Sequence, residues 1–195
     1  FEAAVGGGAP VVRTLRDAAG PTEVRTIRGI LNGTTNFILS AMADGAEFDD
    51  ALAEAQRLGL AEADATRDLD GRDVEDKIRV LAWLAFGVEP GAVEVERQGL
   101  LPDPGACVAE ARRRGGVPRL VAECSRGPGG VRAVIEPRVV PVTSAFGQAS
   151  GEENVVEFET RWSGTLRVSG PGAGGPPTAS AVLSDLVEVA RARVG

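Results

Sequence analysis

Lys77 is the residue of this chain best suited to move a proton. The chain has 21 cationic side chains, and Lys77 is the single lysine among arginines. Arginine keeps its proton in proteins, whereas lysine gives it up where its surroundings disfavour the charge. Histidine and tyrosine are absent, so acid and base work falls to carboxylates, to Lys77 or to water. The same absences exclude a Ser-His-Asp triad, a Cys-His pair and imidazole-bound zinc. Asp73 precedes Lys77 by four residues, which on a helix puts both on one face within contact range. The acidic run before them supplies Glu62, Asp64 and Asp68, which can fold over the same helix N-terminus. A surface ion pair behind an acidic cap has this spacing too, and is worth only about 0.5 kcal/mol. What favours chemistry is that Lys77 flanks the apolar stripe of Val74, Ile78 and Leu81, where partial desolvation suits a lysine to general acid or base work.

Three further clusters carry polar or flexible backbone groups. Residues 170–175 read Gly-Pro-Gly-Ala-Gly-Gly between a strand pattern and a helix pattern. Glycines there let the backbone approach a ligand closely, and the helix N-terminus offers free N–H groups. The run is no dinucleotide fingerprint, because no second βαβ unit and no acidic ribose reader follow it. A tight strand-to-helix connection explains it equally well. Asn32-Gly33-Thr34-Thr35-Asn36 crowds hydroxyls and amides at another strand-to-helix junction, and a plain N-cap accounts for one of them only. Val5-Gly6-Gly7-Gly8-Ala9, with Glu2 nearby, can aim carbonyl oxygens at a hard cation. A simple turn is the competing reading.

The elements that must position these groups follow from periodicity. Residues 1–5 read as a short buried strand, a start within an element that points to a preceding segment of a larger protein. Val11, Val12 and Leu15 form a helical stripe behind Pro10, ended by Gly20-Pro21. Residues 22–31 are rich in β-branched side chains and predict a strand. Helices follow over Phe37, Ile38, Leu39 and Met42, capped by Thr34 or a neighbour, then over residues 49–58 before Gly59, and from Val74 to Gly87. Residues 89–105 read as a connector and 106–114 as a helix. Strands are expected at 117–124, 131–140, 155–160 and 165–169, and a last helix from Thr178 through Val182, Leu186 and Val189. Helices early and late with a run of strands between favour an α+β fold, a mixed sheet with helices on one face.

Composition sets the remaining bounds. The 195 residues carry a formal charge of −7, with 43% hydrophobic and 25% charged side chains. That suits a globular domain with a real core. The acidic balance argues against binding a phosphate backbone, and Arg112-Arg113-Arg114 reads as a solvated helix C-terminus. No apolar run approaches the length of a membrane span, and no signal sequence is visible. Cys107 and Cys124 match no metal spacing; they read as reduced thiols of a cytoplasmic protein, with a single disulfide as the weaker option.

In order along the chain, residues 1–15, 29–39, 60–87 and 169–187 resemble the catalytic domain of the homoserine dehydrogenases. The matching stretches are FEAAVGGGAPVVRTL, GILNGTTNFIL, LAEADATRDLDGRDVEDKIRVLAWLAFG and SGPGAGGPPTASAVLSDLV. The likeness weakens between residues 89 and 151. It implies an α+β catalytic and dimerisation domain over residues 1–195 and NAD(P)-linked interconversion of L-homoserine and L-aspartate-4-semialdehyde, on the way to threonine and methionine. By the resemblance, Lys77 is the proton donor and acceptor, and Asp73 holds the substrate beside it. Glu62 binds the amino acid, with Asp68, Gly33 and Thr34 in the substrate site. Gly172 and Gly174 lie in the turn that meets the nicotinamide side of the cofactor. Glu2, Val5, Gly7 and Ala9 fall at a sodium site, the last three through main-chain carbonyls. A homodimer is expected, since relatives pair through their sheets.

The family's Rossmann domain would precede the opening strand and is not in this chain, so hydride transfer by these residues alone is not expected; no regulatory ACT domain is present in it either. Gly116-Val117-Pro118-Arg119 opens a strand that is more apolar in relatives, which puts its register in question. Two readings compete with the dehydrogenase. One is a non-redox module that binds homoserine or assembles with partners, and the other a cofactor-independent enzyme using Lys77 and the carboxylates for proton transfer.

Overall fold

The computed structural model describes residues 1–19 and 22–194; the expected break at Gly20-Pro21 lies outside the described residues. The elements in chain order are α1 (Val11–Ala19), β1 (Val24–Ile30), α2 (Gly33–Ala43), α3 (Phe48–Arg57), α4 (Thr66–Leu69), α5 (Arg72–Phe86), β2 (Glu94–Arg97), α6 (Pro104–Arg114), β3 (Val117–Gly127), β4 (Gly130–Val140), α7 (Ala145–Gln148), β5 (Glu153–Thr160), β6 (Thr165–Pro171) and α8 (Gly175–Val194). The strands form one mixed sheet in the order β2-β4-β3-β1-β5-β6. All pairs are antiparallel except β2 with β4. This is the α+β architecture expected from the pattern of elements.

The main core lies on one face of the sheet. Ile27 of β1 stands opposite Cys124 of β3 and Phe158 of β5. With Ala122, Ile135 and Val156, these pack in one cluster with Leu15 of α1, Ile38 and Leu39 of α2, and Ile78 and Leu81 of α5. Strand side chains alternate between faces, so Ile30, Val121 and Val155 point the other way, where they cluster with Phe146 of α7 and Ala149. The helices therefore lie mainly on one face, with the single-turn α7 on the other. Beyond α7 that second face is charged: Arg28 and Arg167 both pair with Glu157, and Arg138 pairs with Glu123.

Three expectations need correction. Residues 2–4 form a turn of 3-10 helix instead of a strand, and Phe1 is exposed. Apolar side chains in such a short run carry no periodicity to separate the two. The expected connector at 89–105 contains the edge strand β2, which pairs with residues 132–135 of β4. Its end also braces the acidic run: Leu100 N donates to Leu69 O at 2.7 Å, and Arg97 pairs with Glu75 of α5 at 2.8 Å. The third concerns Pro118 and Arg119, whose strand is regular, with Val117 opposite Val140 and Arg119 opposite Arg138. Arg119 fits there because its guanidinium is received by four neutral acceptors, Phe146 O, Ala149 O, Pro118 O and Ser40 Oγ.

Both cysteines are free thiols; burial pushes Cys124 up to about 12, so it stays protonated and inert. No helix of the described residues is long and apolar enough to cross a membrane. The outer side of α8 leaves Val182, Leu183, Leu186, Val187 and Val189 exposed.

Candidate active site

Helix α5 carries the lysine. Gly71, at φ +80°, turns the chain into its first residue, a conformation that L side chains rarely adopt. Val74, Ile78, Leu81 and Ala82 bury one stripe of the helix. Asp73 and Lys77 sit one turn apart at the edge of that stripe, their side chains 29% and 19% exposed. Nζ of Lys77 donates to Asp73 Oδ2 at 2.7 Å and to the Leu31 carbonyl at 2.8 Å. Of the three donors on an ammonium, one is left for a ligand among the described residues.

The junction from β1 to α2 closes the other side. Asn32 is the N-cap of α2, its Oδ1 accepting from Thr35 N at 2.8 Å. Its Nδ2 reaches out of the cap to Asp68 Oδ1 at 2.7 Å and Asp73 Oδ2 at 2.8 Å. One amide thus fastens two carboxylates that would otherwise repel. Burial raises the pKa of Asp68 above its ordinary value; the Asn32 hydrogen bond opposes this and the neighbouring Asp73 charge adds to it. Thr34 donates to Leu60 O at 2.7 Å, tying α2 to the start of the acidic run. Gly33 is required by space: a Cβ there would stand 2.9 Å from Glu152 O.

These groups line a cleft of about 290 Å³ that brings together Gly33, Thr34, Glu62, Asp68, Asp73 and Lys77 with Gly172. Every expected catalytic and substrate residue is in it. Asp64 and Arg67 line it too; Asp64 is held low by hydrogen bonds from Thr66. A wider opening of about 900 Å³ adjoins it, lined by Gly7, Lys77, Gly172, Gly174 and the first turns of α8. Gly7 and Gly172 are in intimate contact, since a Cβ on Gly7 would lie 2.6 Å from Gly172 O. Gly8 N donates to Pro171 O at 3.0 Å. The first glycine run therefore packs on the last.

Glu2 is buried, and its carboxylate accepts from Val12 N and Arg13 N at 2.8 Å each, an N-terminal cap for α1. Burial raises its pKa. Ala9 O accepts from Val11 N at 2.8 Å. Among the described residues no three acidic or thiol side chains converge on a metal-sized site, so a cation near Glu2 would depend on main-chain oxygens.

Sequence reasoning noted Asn32 only as part of a polar cluster and missed its hold on both carboxylates. The surplus of amides over what a cap needs was the available signal. Asn154 was missed altogether: it is buried in β5, against Gly172 and the Leu31 carbonyl.

A family model described as homoserine dehydrogenase matches residues 10–187, which take in the Lys77 cleft and the second glycine run. The chain belongs to the homoserine dehydrogenase family. It is 44% identical to a homoserine dehydrogenase of Mycobacterium leprae and 40% identical to that of Corynebacterium glutamicum, in each case over 100% of this chain and 45% of the relative. The chain thus spans about half the length of these curated homoserine dehydrogenases. The structure of a homoserine dehydrogenase from Thiobacillus denitrificans matches with a TM-score of 0.90 at 38% identity, over 100% of this chain and 45% of the other. A hyperthermophilic archaeal homoserine dehydrogenase in complex with NADPH matches with a TM-score of 0.81 at 31% identity, over 96% and 54% of the two chains.

Proposed function

We propose that this chain is the substrate-binding and catalytic domain of a homoserine dehydrogenase, interconverting L-homoserine and L-aspartate-4-semialdehyde with NAD(P). The observation that carries this reading is the convergence of Lys77, Asp73 and Asp68 on one cleft beside the Gly172 turn. Family membership supports it.

NAD(P), when bound, takes up the hydride from the alcohol carbon or returns it to the aldehyde. The residues fit such a ligand: the wider opening is lined by glycine and apolar side chains, Gly174 has a φ of +109°, and Lys77 stands at its border with the small cleft. Gly172 and Gly174 would face the nicotinamide. The remaining steps belong to side chains of this chain. Lys77 takes the hydroxyl proton during oxidation and gives it back to the forming alkoxide during reduction. Asp73 holds Lys77 and the substrate in place, and a neighbouring water carries part of the proton transfer. Glu62 receives the substrate ammonium at the mouth of the cleft, with Asp68, Thr34 and Gly33 around the amino-acid end.

The donor set of Glu2 with the Val5, Gly7 and Ala9 carbonyls suits a monovalent cation in its chemistry, being all oxygen with one buried carboxylate. Sodium there would offset the burial of Glu2 and brace the turn beneath Gly172. The charged second face of the sheet is assigned to a homodimer contact, and the reaction places the protein in the threonine and methionine routes of the cytoplasm.

The test is an assay of the full-length gene product with homoserine and each nicotinamide cofactor, with and without sodium. Homoserine-dependent reduction of either cofactor is expected. Its absence in a folded protein that binds the cofactor would sink the proposal.

A further inference from the structure

We propose that Asn154 is a positioning residue that locks the Gly172 turn to the carbonyl holding Lys77; this deepens the dehydrogenase reading above and rests on it. Asn154 lies in β5, 1% exposed, paired across the sheet with Gly170. Its Nδ2 faces the Leu31 carbonyl at 3.4 Å, the same oxygen that receives Lys77 Nζ at 2.8 Å. Its amide also lies flat against the turn. A Cβ on Gly172 would stand 2.5 Å from Cγ and Oδ1 of Asn154 and 2.6 Å from Nδ2. Gly172 has no left-handed φ, so the amide, and not the backbone, is what requires glycine there.

The amide is a costly choice for this position. Its Oδ1 is buried and meets no donor among the described residues, which an apolar side chain of similar size would avoid. What an apolar side chain lacks is the donor aimed at Leu31. The same residue therefore touches the two parts that must stay in register during hydride transfer: the turn beside the cofactor opening and the anchor of the proton-transfer lysine. Gly172 N is fixed from the residue just before β5, donating to Glu152 O at 3.1 Å. A shift of the turn pushes the Asn154 amide, and the amide pushes the carbonyl on which Lys77 rests.

The test uses the full-length gene product with Asn154→Ala, Gly172→Ala and the two combined. Dinucleotide affinity is read without substrate, by fluorescence titration with NADPH and NADH. Turnover gives kcat and the homoserine KM, while circular dichroism and thermal midpoints report folding. Asn154→Ala is expected to weaken dinucleotide binding and to lower kcat, each about tenfold, with the homoserine KM within about twofold. Gly172→Ala is expected to do the same, because its new methyl displaces the amide. The double variant should lose no more than the worse single one, since the amide is then gone from where the methyl intrudes. Dinucleotide affinity and kcat both within about twofold of wild type in folded Asn154→Ala would overturn the proposal, as would fully additive losses or a loss confined to the homoserine KM. If Asn154→Ala does not fold, Gly172→Ala decides alone, and unchanged dinucleotide binding overturns the coupling. Wild-type protein without homoserine turnover defeats the dehydrogenase reading and this inference together. Turnover in the wild type with unaltered variants defeats the inference only.

Discussion

Asn32 donates its side-chain amide to Asp73 Oδ2 at 2.8 Å, so the carboxylate that holds Lys77 is itself held from the start of α2. The same amide reaches Asp68 at 2.7 Å. Two carboxylates and one lysine on neighbouring elements are thereby set by a residue that also caps a helix. The cap function survives many substitutions; the bridge does not.

Asn32→Asp separates these two duties. Aspartate caps a helix as well as asparagine, but it donates nothing to Asp68 or Asp73 and adds a third negative charge beside them. The fold should persist by circular dichroism, while kcat/KM for homoserine in the full-length protein falls about 100-fold. An unchanged kcat/KM would show that the bridge has no part in turnover.

Lys77→Arg retains the positive charge and the reach to Asp73, and removes a readily transferred proton. Turnover should fall by about a thousandfold or more, with a thermal midpoint close to that of the wild type. Near-normal kcat would take Lys77 out of the proton path.

Asp68 gives the site a pH signature in stability. Burial raises its pKa above the ordinary 3.8, so the folded state binds this proton more tightly than the unfolded chain. Stability from this group is therefore greatest at low pH and declines as pH rises through the ordinary value to the raised one. Asp68→Asn removes the titration and keeps an oxygen for Asn32. Its advantage in thermal midpoint over the wild type should grow as the pH rises above the ordinary 3.8, as read by calorimetry. An advantage that shrinks over that rise would contradict the assignment.

Arg119 is 3% exposed, and desolvation lowers its pKa to about 10. Its guanidinium satisfies Phe146 O at 3.0 Å and Ala149 O at 2.7 Å, the carbonyls that hold α7 on the second face. Arg119→Met should lower stability by about 3 kcal/mol in urea unfolding, because it strands buried carbonyls. A loss near zero would mean that water replaces the guanidinium.

The amphipathic parts of the chain were legible in the sequence because burial imposes a period. The stripe of α5, the β1 strand and the long pair β3 and β4 all fall close to where spacing puts them. The edge strand β2 was not legible. It has four residues, Glu94 to Arg97, charged at three positions and with no buried side chain, and what orders it is pairing with β4 and the Arg97 contact with Glu75. The cleft shows the same division. Asp73 and Lys77 declare themselves by helical spacing, whereas the contact of Asn154 with Gly172 joins a strand to a turn distant from it in sequence and no local pattern records it. Asn32 lies between the two cases, visible as polar surplus but not as a bridge.

Lys77 is fastened at both Leu31 and Asp73, and it is the one ε-amine in 195 residues. Isotope labelling at lysine therefore places a single side-chain resonance in this stretch of the protein, and an amine-directed reagent leaves a single modified lysine peptide from it. The group assigned to the chemistry can be followed spectroscopically with no other lysine signal from these residues to confuse it.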